Sequence, residues 1–239
     1  MAMKVSIITV VLNDKDGLDK TIQSVRLLEY PYVEYIVVDG GSEDGTLDVI
    51  KKNSDVVDKW ISEKDSGIYN AFNKGIGLAS GEYVHILNAG DVYYSPTVFN
   101  AQQFSTTKSC ICRSVIKLGV KDWVWLPRFS SEYNSVRVAH PGLIVRRELY
   151  EKTGGYSEDY KYAADSLFIM QHVDKDQALI TDDYLVVMSG GGVSTHLSAR
   201  HEYEKHKVIS QCDIGHLQKL ILHSKVLLFM CYRFFRSLF

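Results

Sequence analysis

Four apolar stretches that alternate with helix-like segments constrain the fold of residues 4–87 more than any other feature of the sequence. The first two, 4–12 and 35–38, are rich in Val and Ile and nearly continuous in apolar character. Such runs are typical of strands covered on both faces, as in a parallel sheet. The other two lie at 59–62 and 83–87.

The segments between these stretches have helical signals. Apolar residues recur at helical spacing after the first stretch, and Pro31 ends that helix. Two further helices are predicted at 46–52 and 68–79. Strands that alternate with helices in this way predict a parallel, doubly wound α/β sheet.

The alternation becomes less regular after Tyr94. We predict an antiparallel pair from 110–117 and 120–125, a strand at 143–145, a helix at 165–172 and a strand at 184–188. Three glycines at 190–192 predict a mobile loop. The simplest organisation is one domain over 1–210, with halves at 1–95 and 96–210, followed by a C-terminal segment at 211–239.

Composition limits the class of protein and its compartment. The chain has 239 residues and a net charge of −2, which argues against nucleic acid as a partner. None of the four cysteines forms a C-x-x-C pair, so neither a zinc site nor a thioredoxin motif is indicated. Four cysteines in a chain of this length do not resemble a disulfide framework. The first twelve residues lack the features of a secretory signal. We therefore expect a protein of a reducing, cytoplasmic compartment.

Polar residues follow two of the predicted strands, where α/β enzymes place their chemistry. Asp39 precedes two glycines and could accept hydrogen bonds from a ribose or a base; the alternative role is a helix cap. Asp91 ends the turn Asn88-Ala89-Gly90-Asp91 and could hold a hard divalent cation that binds a diphosphate. The alternative for Asp91 is a plain turn residue.

The first strand ends in Val10-Val11-Leu12-Asn13, without glycine. Neither the dinucleotide-binding fingerprint nor a phosphate-binding P-loop is present, because both require glycines at this place. A nucleotide bound here would have to be held by side chains and a metal ion.

Other candidates have weaker local signals. Asn73 and Lys74 lie late in a predicted helix, where a lysine is as readily a surface charge as a ligand contact. Asp165 begins a predicted helix, which favours a capping role, although a carboxylate there could also be a general base. His140 precedes Pro-Gly and could contact an acceptor or stabilise a turn. Ser194 and His196 follow the three glycines and could belong to a lid.

Several segments together resemble the family 2 glycosyltransferases of GT-A fold, and most closely the subgroup that builds bacterial surface polysaccharides such as colanic acid, O-antigen or capsule. The segments keep the family's order over most of 4–195. They are VSIITVVLN (5–13), YIVVDGGSEDGT (35–46), SEKDSGIYNAFNKGIGLASGEYVHILNAGD (62–91), HPGLIVRRELYEKTGGY (140–156), AADSLF (163–168) and GGGVS (190–194).

The resemblance implies how a UDP- or GDP-sugar donor would be bound. Asp39 would bind the base or its ribose, Thr9 and Val11 would line the nucleotide pocket, and Asn73 and Lys74 would lie beside the base or the phosphates. A Mn²⁺ or Mg²⁺ cofactor is implied as well.

The same resemblance implies the chemistry. Asp91 would match the last aspartate of the D-x-D motif and bind the metal, while Asn88 replaces the first aspartate. Asp165 would be the base of an inverting displacement. Leu12 and Ala164 also depart from the family pattern, which often has an aromatic residue and a glutamate at these places.

Residues 217–239 are predicted to form an amphipathic helix. Leucines, Cys231 and Phe235 share one face, and Lys219, Lys225, Arg233 and Arg236 gather on the other. This pattern is typical of a helix that lies on an anionic membrane. The alternative is a helix that docks on its own domain or on a second copy of the chain.

Together these observations favour an inverting glycosyltransferase that acts on a lipid-linked saccharide at the inner face of the cytoplasmic membrane. A sugar nucleotidyltransferase is disfavoured, because it would need a glycine-rich loop with Arg and Lys after the first strand. A glycan-binding scaffold without catalysis stays open, because Asn88 removes a charge from the metal motif.

Overall fold

The computed structural model describes residues 3–99, 109–117, 122–189 and 199–236, without the side chains of 199 and 231–236. The strands are β1 (Val5–Val11), β2 (Val33–Asp39), β3 (Lys59–Ser62), β4 (Tyr83–Ile86), β5 (Val92–Tyr93), β6 (Cys110–Lys117), β7 (Trp123–Trp125), β8 (Arg128–Ser130), β9 (Ser135–Arg137), β10 (Leu143–Arg146) and β11 (Ala178–Met188). The helices are α1 (Lys15–Arg26), α2 (Thr46–Lys52), α3 (Ile68–Leu78), α4 (Arg147–Thr153), α5 (Ala164–His172), α6 (Ala199–Gln211) and α7 (His216–Arg236).

A nine-stranded sheet in the order β3-β2-β1-β4-β10-β6-β11-β5, with β7 paired to β6, forms the centre of the molecule. The first four strands in this order run parallel to one another. Strand β10 runs antiparallel to both its neighbours, while β6 and β11 are again parallel. The predicted α/β class is therefore confirmed.

Both faces of the parallel half are covered, which explains why its strands lack a polar face. Ile8, Val10 and Val38 pack with Phe72 of α3, whereas the alternate strand residues pack with α1. That second layer includes Val5, Ile7, Val11, Tyr35, Val37, Leu18 and Ile22. Because successive side chains of a strand point to opposite faces, a strand between two helical layers is apolar throughout.

The structure has five elements that the sequence analysis does not predict: β5 in the first half, and β8, β9, α4 and α6 in the second. In addition, β11 begins at Ala178 rather than near Tyr184. Strands β8 and β9, which pair as a short ribbon, have only three residues each, too few to show a period. The early part of β11 is largely unburied and has the polar sequence Thr181-Asp182-Asp183, so it lacks the apolar signal of a strand.

Helices α6 and α7 form an antiparallel pair at the end of the chain. Nδ1 of His206 lies 2.7 Å from Nδ1 of His223, and Lys219 Nζ donates to the Ser210 carbonyl at 2.9 Å. Leu222 is buried, whereas Leu217, Leu220, Leu227 and Leu228 are exposed. One face of the predicted amphipathic helix thus docks on the chain itself. Within the described part of the chain, no helix is long and apolar enough to cross a membrane.

Candidate functional site

A groove of about 560 Å³ lies between the carboxyl ends of β1 and β4 and the amino end of α3. The chain passes from the edge strand β3 back to β4, on the other side of β1, so the strand order reverses here. In open α/β sheets, ligands bind at such a switch point. The lining residues are Val10, Val11, Leu12, Asp14, Asp65, Ser66, Gly67, Ile68, Tyr69, Asn70, Ala71, Asn88, Ala89, Glu158, Tyr160, Lys161 and Arg200.

Asp39 lies at the end of β2, in register with Val11 of β1 and Ser62 of β3. Its carboxylate is fully buried and accepts hydrogen bonds from Ser42 Oγ at 2.5 Å and Ser62 Oγ at 2.6 Å. Ser42 Oγ also accepts from the Asn13 amide at 2.7 Å. Asp39 therefore connects, through Ser42 and Ser62, the segments at the carboxyl ends of β1, β2 and β3. The Ser42 amide also donates to this carboxylate, at 3.1 Å to Oδ1 and 3.3 Å to Oδ2, so the protein itself engages both oxygens. The contact of Asp39 with a base or ribose stays a prediction.

The turn after β4 has a left-handed glycine, Gly90, at φ +91°. Its amide donates to the Gly17 carbonyl and to Thr21 Oγ1, both at 3.0 Å, which fixes the turn against α1. Asn88 lines the groove, and its buried Oδ1 has no hydrogen-bond partner among the described residues. An unpaired buried acceptor costs free energy unless a ligand satisfies it.

Asp91 lies deeper than Asn88. It is 4% exposed, it accepts from the Ser189 amide at 3.0 Å, and it is not among the described residues that line the groove. Burial raises the pKa of Asp91 to about 7. A D-x-D motif has its carboxylates two residues apart, whereas Asn88 and Asp91 are three apart. The role of Asp91 as the metal ligand stays a prediction.

Asp14 is a carboxylate that the sequence analysis missed. It caps α1, where Oδ1 accepts from the Gly17 amide at 3.0 Å, and it also lines the groove. A Cβ atom on Gly90 would lie 3.9 Å from Asp14 Oδ2, so this oxygen is close to the turn that contains Asn88. Its place just after β1 was the available signal, but an aspartate there is also an ordinary helix cap.

The residues at the groove fit a cation that is shared with a diphosphate. In the described ranges, no group of three or more His, Cys, Asp or Glu side chains is placed to hold a metal ion alone. The unpartnered Asn88 Oδ1 and the Asp14 carboxylate are hard oxygen ligands of the kind that Mg²⁺ and Mn²⁺ prefer. Such ions typically take their other ligands from substrate phosphates and water.

Asn73 and Lys74 have partners within the protein. Asn73 Nδ2 donates to the Tyr156 carbonyl at 2.8 Å, and its Oδ1 accepts from the Tyr156 amide at 2.9 Å. Lys74 Nζ pairs with Glu63 at 2.7 Å. The structure places both side chains outside the described lining of the groove.

Asp165 lies in the first turn of α5, which begins at Ala164 with Ala163 as its cap residue, so Asp165 is not the helix cap. Its Oδ1 accepts from the Tyr69 hydroxyl at 3.0 Å. Burial, with the nearby charge of Asp165, raises the pKa of Tyr69, so its hydroxyl stays protonated and donates. Because Tyr69 lines the groove, it connects Asp165 to the groove wall.

His140 belongs to an aromatic cluster beside Asp165. Its ring stacks on Phe72 with 5.1 Å between centroids, and Nε2 lies 3.1 Å from Tyr156 Oη. Burial lowers the pKa of His140. The structure therefore places it in the packed layer behind the groove, and no described groove-lining position is a histidine.

The remaining predicted residues divide between groove, core and undescribed chain. Val11 lines the groove, whereas the Thr9 side chain is buried and accepts from the Tyr35 hydroxyl at 3.0 Å. Ser194, His196 and the glycines at 190–192 lie outside the described residues. Lys161 and Arg200 were missed: they bring positive charge to the groove from distant parts of the sequence, with no local motif.

Comparison with known proteins defines the class. The model of glycosyl transferase family 2 matches residues 6–158, so the chain belongs to this family. An uncharacterized glycosyltransferase of Mycobacterium tuberculosis is 33% identical over 180 residues, which cover 71% of this chain and 69% of that protein. The enzyme class, a glycosyltransferase, follows from this family membership.

Two further proteins are similar to this chain, one in sequence and one in structure. A putative teichuronic acid biosynthesis glycosyltransferase of Bacillus subtilis is 33% identical over 110 residues, 44% of this chain and 43% of that protein. The mannosyltransferase PcManGT of Pyrobaculum calidifontis, solved with GDP-Man and Mn²⁺, superposes with a TM-score of 0.69 at 18% identity, covering 95% of this chain and 70% of its own. The latter likeness shows the shared GT-A fold.

Proposed function

We propose that this glycosyltransferase transfers a sugar, with inversion, from a UDP- or GDP-sugar to a lipid-linked saccharide in the assembly of a bacterial surface polysaccharide. The observation that supports the mechanism is the hydrogen bond of Asp165 with Tyr69, a residue that lines the groove at the sheet's switch point. The similarity to a teichuronic acid biosynthesis protein supports the polysaccharide context.

The donor would lie in the groove with its diphosphate near the amino end of α3. Gly67, Ile68 and Tyr69 of that end line the groove. Gly67, at a φ of +145°, has no side chain that would block the approach to the helix end. A helix amino terminus favours a negatively charged group. Lys161 and Arg200, the latter paired with Glu204 at 3.2 Å, are the cationic residues of the described lining, which also includes Asp14, Asp65 and Glu158.

Asp165 would accept the proton of the attacking acceptor hydroxyl. The acceptor oxygen then bonds to the anomeric carbon while the bond from that carbon to the diphosphate oxygen breaks on the opposite face, which inverts the configuration. Tyr69 orients the base by donating to Oδ1 and leaves Oδ2 for the substrate. A bound Mg²⁺ or Mn²⁺ would be held by Asn88 and Asp14 at the groove, with Asp91 as the further ligand that the sequence predicts, and would supply positive charge to the leaving diphosphate.

The substitution Asp165→Asn tests this proposal. It keeps the shape of the side chain and its acceptor for Tyr69 but cannot take up a proton at neutral pH. We expect transfer to fall by 10²-fold or more, in line with the usual contribution of a general base, with unchanged affinity for the nucleotide. Transfer from labelled UDP- and GDP-sugars, with calorimetric titration of UDP and GDP, measures both.

A matched control is Asp48→Asn, which makes the same change at an exposed position of α2 outside the groove. Retained transfer in Asp165→Asn would remove this residue from the mechanism. A wild-type protein that binds neither UDP nor GDP in Mn²⁺ or Mg²⁺ would favour the glycan-binding scaffold instead.

The domain plan fits this proposal. Residues 1–95 would bind the donor and 96–210 the acceptor, while 211–239 would hold the enzyme at the inner face of the cytoplasmic membrane. The exposed leucines of α7 support the last assignment. The alternative is that a second copy of the chain binds this surface. The molecular mass of the protein in solution distinguishes a dimer from a monomer that binds membranes.

A further inference from the structure

A second groove, of about 370 Å³, lies beyond α5 on the acceptor half and has no part in the donor site described above. Its floor is apolar and is built from β9, α5 and α6, for example by Val136, Ile169 and Val208. Trp125 of β7 and Val226 of α7 also line it.

This groove approaches the proposed base. Ala163, the cap residue of α5, and Ser166, directly after Asp165, both line it. Tyr69, which donates to Asp165, lines the donor groove. The start of α5 therefore stands between the two cavities, and a molecule held in the second groove would reach the reaction from the side away from the donor.

The groove is amphipathic and positively charged. Arg137 and Lys205 line it, and no acidic residue is among its described lining. Lys205 Nζ pairs with Glu202 at 3.0 Å. Arg137 has no such ion pair in the part of the chain that the structure describes: its acidic neighbour Glu132 pairs with Lys225 at 2.6 Å, and Arg137 adds only a weaker effect to the lowering of the Glu132 pKa by Lys225. Arg137 lies opposite Arg128 in the β8–β9 register, and no ion pair within the described residues engages either guanidinium. Like charges placed opposite each other across two strands destabilise the ribbon unless an anion lies between them.

The surroundings of the groove are apolar on two sides. Trp123, Val124 and Leu126, around β7, are exposed, and so are Leu227 and Leu228 of α7. Exposed apolar and aromatic residues flanked by cations are typical of a protein surface that meets an anionic membrane. A ligand that comes out of a lipid layer would therefore enter this groove directly.

We propose that the second groove binds the phosphate-bearing end of a lipid-linked acceptor, with the phosphate at Arg137 and the first carbons of the lipid on the apolar floor. This inference rests on the proposed function, because it names the place where the lipid-linked acceptor is held. Charge complementarity selects an anionic ligand, and the apolar floor selects a lipid rather than a free phosphate.

The test is calorimetric titration of the full chain with three probes: farnesyl phosphate, inorganic phosphate and farnesol. We expect farnesyl phosphate to bind, and to bind roughly tenfold more weakly to Arg137→Ala, since a charged hydrogen bond is worth about that ratio. Lys175→Ala, an exposed lysine outside the groove, is the matched control. Val226→Trp, at a half-buried position on the rim, fills the groove and should abolish binding, with thermal unfolding as the check on folding.

Equal binding of inorganic phosphate would show a simple anion site, and equal binding of farnesol a simple apolar cleft. Either result, or unchanged affinity in both groove variants, would overturn the proposal. Hydrolysis of the donor by water does not need the acceptor. If donor turnover is intact while farnesyl phosphate fails to bind, the groove assignment fails and the proposed function stands. If no donor is turned over, the proposed function fails, and the binding experiment still decides the groove.

Discussion

At the scale of single residues, the environment decides which polar side chains are available to a substrate. Asp39 and Asp91 are both buried, and their oxygens accept from protein groups. Two serine hydroxyls and the Ser42 amide donate to Asp39, and the Ser189 amide donates to Asp91. Asn88 is the polar residue of this set that faces the groove with an unpartnered oxygen. The sequence gives the type of each polar residue. Whether its atoms can bind a substrate depends on whether other groups of the folded protein already form hydrogen bonds with them.

His85 makes a residue-level prediction about acid stability. Nε2 lies 2.9 Å from the Pro141 carbonyl and Nδ1 lies 2.8 Å from Tyr93 Oη. A carbonyl only accepts, so Nε2–H donates and Nδ1 of the neutral ring accepts from the tyrosine. Burial lowers the pKa of His85 to about 4.

A lowered histidine pKa means that the unfolded chain takes up the proton first as the pH falls. The contribution of His85 to stability is therefore complete above pH 6.5 and is lost towards pH 4, by about 3 kcal/mol in total. Urea unfolding of the wild type and of His85→Gln at pH 7 and pH 4.5 measures it. The glutamine variant should lose less stability than the wild type over this interval, and equal losses would contradict the assignment.

At the scale of elements, α3 joins the two halves of the molecule. Its first turn lines the donor groove, Tyr69 reaches Asp165, and Asn73 holds the segment after α4 by two hydrogen bonds to Tyr156. The helix packs on β1 and β2 through Phe72 and the close approach of Gly75 to Ile8. A Cβ at Gly75 would lie 2.4 Å from Ile8 Cγ2, so only glycine lets helix and strand come this close.

The substitution Asn73→Ala tests this joining role. It leaves a donor and an acceptor of the Tyr156 backbone unpaired, and we expect a loss of about 1–3 kcal/mol in the free energy of unfolding. Asn70→Ala is the control, because Asn70 binds the exposed Glu158 carboxylate at 3.1 Å and should cost less than about 1 kcal/mol. Urea unfolding gives the stability. An Asn73 variant that folds normally and loses only nucleotide affinity would favour the direct donor contact predicted from the sequence.

At the scale of the whole molecule, the proposed roles of the two grooves and of the exposed apolar surface imply an orientation at a membrane. The groove proposed for the donor opens at the carboxyl edge of the parallel strands, and α7 and β7 carry exposed apolar side chains beside the second groove. Attachment to a membrane through α7 and β7 would turn the second groove towards lipid-linked acceptors.

The membrane orientation predicts the behaviour of two matched variants of α7. Leu228→Glu puts a negative charge on the exposed apolar face, whereas Ser224→Glu puts the same charge at an exposed polar position of the same helix. We expect Leu228→Glu to reduce cosedimentation with anionic vesicles severalfold more than Ser224→Glu. Equal effects would assign binding to net charge alone, and size-exclusion chromatography of both variants reports whether a dimer interface was broken instead.

Local patterns in the sequence determined the fold class and most elements of residues 4–87. Strands between two helical layers are apolar throughout, and the apolar residues of the helices between them recur at helical spacing. The motifs determined the family. Tertiary structure alone decided the composition of the site. Lys161 and Arg200 line the groove although they come from distant segments, whereas Thr9 and Asp91 are buried inside the protein. Tyr69 contacts Asp165, which lies 96 positions away in the sequence. The physical reason is that strand order and loop packing, not spacing along the chain, determine which polar atoms meet in space and which are already satisfied.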